Sequence, residues 1–148
     1  MQLTLYTDYS LRVLLYVGLK GEQATVGEIA KSFKISRNHL VKVVHALSTR
    51  GYLRTTRGPR GGVTLGKDPA TVRLGAFIAE TEPHSDLVEC FNAAENTCPI
   101  AGVCKLEKIL HQARTSFFTE LDRHTLEDLI RSSGSRDRRL ERLGLLRP

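Results

Sequence analysis

The sequence predicts a mainly α-helical fold with one small pair of β-strands, and three observations support this prediction. Apolar residues recur at helical spacing in several segments between residues 7 and 130. Two short runs that favour strands flank a single glycine-rich turn. Of the 148 residues, 41% are hydrophobic and 26% are charged, which is typical of a folded globular protein and argues against disorder.

The first three predicted elements are helices. Leucines three and four residues apart predict a first helix, with Thr7 as its candidate N-cap and its end near Lys20-Gly21. The run Thr25-Val26-Gly27-Glu28 has the T-x-x-E pattern of a capping box and predicts a short second helix. Ser36 is the candidate N-cap of a third helix, which Gly51 ends.

A hairpin is predicted next, with strands over Tyr52–Thr56 and Gly62–Leu65 around the turn Arg57-Gly58-Pro59-Arg60-Gly61-Gly62. Two short helices joined by a tight turn, the second one polar and basic at its start, are typical of a helix-turn-helix. A hairpin that follows such a pair is typical of a wing. Residues 1–70 are therefore predicted to be a winged helix-turn-helix DNA-binding region.

The second half predicts a cysteine-containing loop between two helices. One helix covers about Val72 to Glu82 and is broken by Pro83, and a loop follows from Ser85 to Val103. A long helix then carries one apolar stripe, and a short closing helix spans Thr125–Ile130. A helix this long on a small chain needs a surface to pack against, so we expect a dimerisation helix and a two-fold homodimer. Residues 71–131 form this region, and residues 132–148 are predicted to be a mobile or weakly docked basic tail.

Charge is distributed unevenly along the chain. Lys and Arg exceed Asp and Glu by 22 to 16, and no acidic residue interrupts the nine basic ones from Lys31 to Lys67. The segment from Leu74 to Cys104 has five acids and no Lys or Arg. A basic segment suits the phosphates of double-stranded DNA, although a solubilising surface is the simpler alternative.

The third helix and the wing supply the candidate DNA contacts. We expect its first turns to face a major groove, with Arg37, Asn38 and His39 at base edges. Lys42, Arg57 and Arg60 are expected at phosphates or in the minor groove. A solvated helix end is the alternative. The candidate DNA-binding residues are Ser36, Arg37, Asn38, His39, Lys42, Arg57 and Arg60.

Cys90, Cys98 and Cys104 are the chain's cysteines, spaced C-x7-C-x5-C. No basic segment precedes the first short apolar run and no stretch reaches the roughly 18 apolar residues of a membrane span, so we expect a cytoplasmic protein. In that reducing compartment, an odd trio of cysteines indicates metal or redox chemistry. Three thiolates can hold three corners of a cubane cluster and leave one iron in need of another ligand. A zinc site completed by His84 or His111 stays open, although a C-x2-C knuckle is lacking.

Four motifs stand out between residue 1 and about Ile130. They are Leu3-Thr4 with Thr7-Asp8-Tyr9, the block Ser36–Lys42, Arg57-Gly58-x-x-Gly61-Gly62, and Cys98-Pro99 through Cys104. Together they resemble the bacterial winged-helix iron-sulfur transcriptional regulators, and within them the nitric-oxide-sensing repressors.

The resemblance implies a homodimer that binds a palindromic operator and loses DNA affinity when nitric oxide attacks its iron-sulfur cluster. It implies one cluster per subunit held by Cys90, Cys98 and Cys104, a 4Fe-4S cluster with 2Fe-2S left open. It implies Asp8 of the partner subunit as the fourth ligand, with Glu107 as the second candidate. The alternative for Asp8 is a first-turn acid that is favourable to the helix dipole.

Three rival functions remain. An iron-responsive repressor of the same fold uses similar widely spaced cysteines, and a zinc-stabilised winged-helix repressor needs no iron. An enzyme with a nucleophilic cysteine would need His84 or His111 as its base. The sequence has no nucleophile elbow or phosphate loop, so we predict that the protein is not an enzyme.

Overall fold

The computed structural model describes residues 2–58, 61–82, 86–132, 134 and 136–146. The mainly α-helical fold with a small β wing is confirmed. The elements are α1 (Leu5–Lys20), α2 (Val26–Phe33), α3 (Arg37–Thr49), β1 (Leu53–Thr56), β2 (Gly62–Leu65), α4 (Leu74–Thr81), α5 (Lys105–Asp122), α6 (Leu126–Arg131) and α7 (Arg136–Arg142).

Helix α1 begins one turn earlier than predicted. Its N-cap is Thr4, whose hydroxyl accepts a hydrogen bond from the Thr7 N–H at 3.3 Å. Thr7 is not the cap, because it lies fully buried in the first turn and its own hydroxyl donates to the Thr81 carbonyl at 3.2 Å. The predicted end is confirmed, since Gly21 adopts a left-handed conformation with φ of 68°.

Helices α2 and α3 form the predicted helix-turn-helix. The capping box is present, because Thr25 accepts from the Glu28 N–H at 3.2 Å and Glu28 accepts from the Thr25 N–H at 2.6 Å. Lys34 makes the turn with a left-handed φ of 55°. Ser36 is the N-cap residue of α3 by position, although its side chain makes no capping hydrogen bond. The buried face of α3 holds Leu40, Val43, Val44 and Leu47.

The wing is an antiparallel pair in which Leu53 lies opposite Leu65 and Thr56 opposite Gly62. Ala24 joins it from the segment before α2. Its N–H donates to Val63 O at 2.9 Å, and the Val63 N–H donates back at 2.7 Å. The hairpin is therefore joined to the segment before α2 at Val63, one residue from the end of the ladder that adjoins the turn.

Helix α4 packs against α5 at Gly75. A side chain at this position would collide with the Phe118 carbonyl and would come within 2.6 Å of Asp122 Oδ1, so only glycine permits the approach. Asp122 also accepts a hydrogen bond from the Ala76 N–H at 2.8 Å and so caps α4. None of the residues of α5 is buried. Near the N-terminal end of this helix, Leu106 is 59% exposed to solvent.

Helix α7 lies in the segment for which the sequence predicts a mobile or weakly docked tail. Leu140 is buried, and Leu143 and Leu145 pack against the main core. The Ser32 hydroxyl donates to the Leu143 carbonyl at 2.9 Å, so the segment is held against α2 in this structure. The tail's mobility stays a prediction, as do the boundaries at residues 70 and 131. The core itself is continuous across residue 70, since Phe77 belongs to the same cluster as the buried residues of α1 and α3.

Candidate DNA interface and thiol site

The start of α3 presents a polar, exposed surface. Its apolar side is fixed in the core through residues such as Leu40, so the opposite face points outward. All five predicted contact residues of this helix are exposed: Ser36, Arg37, Asn38, His39 and Lys42. The structure thus exposes all five at the start of one helix, while their role in DNA binding stays a prediction.

A cleft of about 440 Å³ separates α3 from the wing. Arg37 lines it on the helix side, and Thr55, Thr56 and Gly58 line it on the wing side. The N-terminus of α2, residues 25–27, closes one end. Arg57 is exposed at the tip of β1, whereas Arg60 lies outside the described residues. The sequence singles out Arg57 but not Thr55 and Thr56, which only the hairpin register brings to this cleft.

In the part of the chain that the structure describes, the cations at this surface have no acidic partner. Within the described residues, no salt bridge involves Arg37, Lys42, Arg54 or Arg57. An unpaired, hydrated cation is free to neutralise a phosphate and to release its counterions. The electrostatics of the cleft therefore suit a polyanion.

The three thiols lie along the loop that leads into α5. Cys90 is in a 3-10 turn, Glu89–Phe91, and Cys104 is the N-cap residue of α5, as the sequence predicts. All three cysteines are free and partly buried. Glu89 braces the loop by accepting hydrogen bonds from the Thr97 N–H at 2.5 Å and the Thr97 hydroxyl at 2.6 Å. These bonds lower the pKa of Glu89.

The sulfur atoms share one electrostatic neighbourhood. Burial raises the pKa of the Cys90 thiol, and the charges of Glu107, Cys98 and Cys104 raise it further. Glu107 itself accepts a hydrogen bond from the Gly102 N–H at 2.8 Å and closes the last turn of the loop. A site where thiolates and a carboxylate repel one another favours a cationic occupant.

The donor set suits iron or zinc in type, because both metals bind thiolates. The described residues nevertheless hold no group of three His, Cys, Asp or Glu side chains close enough to bind an ion. Asp8 is on α1, where Arg12 pairs with it at 2.8 Å. His84 lies outside the described residues, as does Pro83. The ligand assignments to Cys90, Cys98, Cys104 and Asp8 therefore stay predictions.

An aromatic stack that the sequence does not predict holds the first cysteine against α5. The rings of Phe91 and His111 are parallel within 9°, with centroids 3.8 Å apart. The Arg114 guanidinium lies 5.9 Å from the Phe91 ring. Because Phe91 follows Cys90 directly, the stack fixes where the 3-10 turn sits along α5. His111, the alternative zinc ligand, is therefore stacked on a phenylalanine ring in this structure.

Among the described residues, no helix has both the length and the apolarity that a membrane crossing requires.

Comparison with known proteins gives a consistent result. The family model Rrf2, described as "Iron-dependent Transcriptional regulator", matches residues 3–132. A Bacillus subtilis protein named HTH-type transcriptional regulator NsrR is 42% identical over 134 residues, which cover 89% of this chain and 92% of that protein. A Geobacillus kaustophilus protein of the same name is 45% identical over 137 residues, which cover 91% of this chain and 93% of the relative.

Solved structures share the fold at lower identity. CymR, the global cysteine regulator of B. subtilis, matches with a TM-score of 0.71 and 23% identity, over 90% of this chain and 98% of that one. T. potens IscR matches with a TM-score of 0.69 and 15% identity, over 91% and 90% of the two chains. At these identities the similarity establishes the architecture alone.

Proposed function

The chain belongs to the Rrf2 family of transcriptional regulators, and we propose that within this family it is a homodimeric repressor that senses nitric oxide through an iron-sulfur cluster. Its relatives are named as transcriptional regulators, so the chain regulates transcription and is not an enzyme. One observation carries the finer proposal. Three thiols share one acidic neighbourhood at the start of α5 in a chain that is 45% identical to a protein named NsrR.

DNA binding follows from the shape of the charged surface. The exposed start of α3 would enter the major groove of double-stranded DNA, with Arg37, Asn38 and His39 at base edges. Lys42 and Arg57 would contact phosphates on either side. A dimer would present two such surfaces, and so a palindromic operator is expected.

Dimerisation is supported by α5. This helix has 18 residues, none of them buried, and exposes Leu106 and Ile109 on the apolar stripe that the sequence predicts. An apolar stripe of this length favours burial. Pairing with α5 of a second copy would cover it and would also bring the two DNA-binding surfaces to a fixed separation.

Cys90, Cys98 and Cys104 would hold the cluster, with Asp8 of the partner subunit as the fourth ligand. When bound, the cluster would supply iron that reacts with nitric oxide. Asp8 has a second partner in its own chain, Arg12, which holds it in this structure. The carboxylate of Asp8 would therefore have two alternative partners, one on its own helix and one across the dimer. An exchange between them that alters the spacing of the α3 helices would change operator affinity by about 100-fold, within the usual size of allosteric coupling.

The experiment is an absorbance spectrum with iron and sulfide counts on anaerobically isolated protein, followed by a nitric oxide titration against operator binding. Brown protein that contains iron and sulfide and releases DNA at stoichiometric nitric oxide supports the proposal. Colourless protein that contains zinc would support a zinc-stabilised repressor instead.

An iron-responsive repressor is the second candidate function. The family description contains the words "Iron-dependent", and the wide spacing between Cys90 and Cys98 suits this reading too. The two candidate functions can be distinguished by measuring operator binding after treatment with an iron chelator and, separately, after nitric oxide, with equal times of exposure. Release by the chelator alone would favour the iron-responsive function.

A further inference from the structure

We propose that Glu80, Thr81 and Glu82 form a junction, here called the α4 junction, that transmits the state of the cysteine loop to the recognition helix α3 within each subunit. This inference rests on the proposed function, because it assumes that the loop has two states. The junction would be a second route of transmission. It lies within one chain, whereas the contact made by Asp8 would cross the dimer.

The first half of the junction holds the start of α1. Glu82 is 7% exposed, and its Oε1 accepts hydrogen bonds from the Thr4 N–H at 2.7 Å and the Thr4 hydroxyl at 2.9 Å. The Thr7 hydroxyl donates to the Thr81 carbonyl at 3.2 Å. A carboxylate at this point also faces the positive end of the α1 dipole. The first turn of α1, which carries Asp8, is therefore anchored to the end of α4.

The second half of the junction holds the end of α3. Glu80 Oε2 accepts a hydrogen bond from the Tyr52 hydroxyl at 2.6 Å, and Oε1 lies 3.5 Å from Arg50 Nε. Arg50 is the C-cap of α3, and it also donates to the Tyr6 hydroxyl at 3.1 Å. Burial and the Glu80 carboxylate raise the pKa of Tyr52 to about 12, so this hydroxyl stays protonated and remains a donor.

The junction lies directly before the cysteine loop. Cys90 follows Glu82 by eight residues. In the proposed route, a shift of the loop moves the C-terminal end of α4 and both carboxylates there with it. Glu82 would move the start of α1, while Glu80 would move the C-cap of α3. Since α3 has 13 residues and a length of about 20 Å, a small tilt at Arg50 displaces the base-reading residues at its other end.

A purely structural role for Glu80 predicts something different. Its ion pair with Arg50 is partly exposed on both sides, and such pairs contribute little to stability. As far as this ion pair is concerned, loss of Glu80 should then change neither the stability of the protein nor the response of operator affinity to the cluster. If the junction transmits the signal, the protein still folds but the DNA-binding surface responds less to the loop.

The test compares Glu80→Ala with the matched control Glu120→Ala. Glu120 is also a helical glutamate with an arginine partner, Arg123 at 2.8 Å, but it lies on α5 away from the junction. Operator affinity is measured for the cluster-loaded and cluster-free full-length protein, together with the melting temperature and the cluster spectrum. We expect Glu80→Ala to reduce the affinity ratio between the two forms by about tenfold with a wild-type spectrum, while the loss of the Tyr52 hydrogen bond lowers the melting temperature of both forms equally. The control should keep the wild-type ratio.

Amide hydrogen exchange gives a second readout that does not depend on DNA. In the wild type, loading the cluster should change exchange in residues 86–104 and at the end of α3; in Glu80→Ala the change at α3 should disappear while the change in the loop persists. A retained change at α3, or a retained affinity ratio, overturns the junction alone. If cluster-loaded and cluster-free wild-type protein bind the operator with the same affinity, the proposed function is wrong and the junction is wrong with it.

Discussion

Asp8 and Arg12 form a two-point salt bridge one turn apart on α1. Arg12 Nη2 lies 2.8 Å from Asp8 Oδ2, and Arg12 Nε donates to Oδ1 at 3.0 Å. Both oxygens of the carboxylate are thus occupied within the chain. Under the proposed function we expect Asp8 to exchange this partner for the cluster of the neighbouring subunit, so that Arg12 competes with the ligand role.

Arg12→Ala should therefore slow the loss of the cluster to an anaerobic iron chelator. An exposed i,i+4 pair is worth up to about 1 kcal/mol, which limits the effect to about fivefold. Asp8→Ala should have the opposite effect and accelerate the loss. The decay of visible absorbance measures both rates. Arg131→Ala, which breaks the i,i+4 pair with Glu127 on α6, is the matched control and should decay as the wild type does. Wild-type decay in the Asp8 variant would rule out Asp8 as a ligand.

Arg37→Ala and Arg57→Ala should each weaken operator binding and flatten its salt dependence. If each arginine neutralises one phosphate, the slope of log affinity against log salt falls by about 0.9 per substitution. If Arg37 instead contacts a base edge, its variant loses discrimination between operator and random DNA by about 1 to 3 kcal/mol while the slope changes less. Fluorescence anisotropy at several salt concentrations distinguishes these outcomes. Arg123→Ala removes the same charge at the C-cap of α5 and should leave the slope unchanged. An unchanged slope in the Arg57 variant would exclude the wing as a phosphate contact.

Ile109→Glu should convert the dimer into a folded monomer. Ile109 is 48% exposed on α5 of the single chain, so a charge there costs the monomer little. In a helix-to-helix interface the same charge would be buried without a partner, which costs several kcal/mol. Sedimentation measures the association and circular dichroism checks the helix content. Leu146→Glu is the control, since Leu146 is 49% exposed in the C-terminal segment, away from this stripe. A dimeric Ile109 variant would place the interface elsewhere.

Local patterns account for what the sequence predicts correctly. The Thr25–Glu28 capping box needs only a three-residue spacing, and the polar face of α3 follows from the helical period opposite Leu40. At the start of α1 two threonines compete for the cap. The outcome depends on Glu82, which is 78 positions from Thr4 and accepts its hydrogen bonds. No local pattern contains that information, so Thr7 was the wrong choice.

The features of the two candidate sites also divide into those that the sequence predicts and those that depend on tertiary packing. The cysteine spacing singles out the thiols, and the run of basic residues singles out the surface that is proposed to face DNA. The stack of Phe91 on His111 and the contact of Tyr52 with Glu80 depend on how separate segments pack in three dimensions. Docking of the C-terminal segment is a similar case, because its arginine-rich composition conceals the two leucines, Leu143 and Leu145, that pack against the core.

Glu82→Gln should destabilise the cluster-free protein at neutral pH and much less in acid. Burial raises the pKa of Glu82, but the polar Thr7 side chain and the hydrogen bonds from Thr4 outweigh it, so the folded-state pKa lies below the usual value of 4.5. A lowered folded-state pKa means that the carboxylate's contribution is complete above about 4.5 and is lost as the pH falls through the folded-state value. Hydrogen bonds to a buried charge contribute about 2 kcal/mol, which is the loss expected at pH 7.

Urea unfolding of wild type and variant, at pH 7 and at successively lower pH, measures this difference. The gap in the free energy of unfolding should narrow only below about pH 4.5, because only there does the wild type begin to lose the charge. Glu120→Gln, an exposed glutamate paired with Arg123, should show almost no gap at any pH. A gap for Glu82→Gln that stays constant into acid would mean that the side chain stabilises α1 by its shape and not by its charge. In that case the Thr4 contact would not respond to the protonation of Glu82.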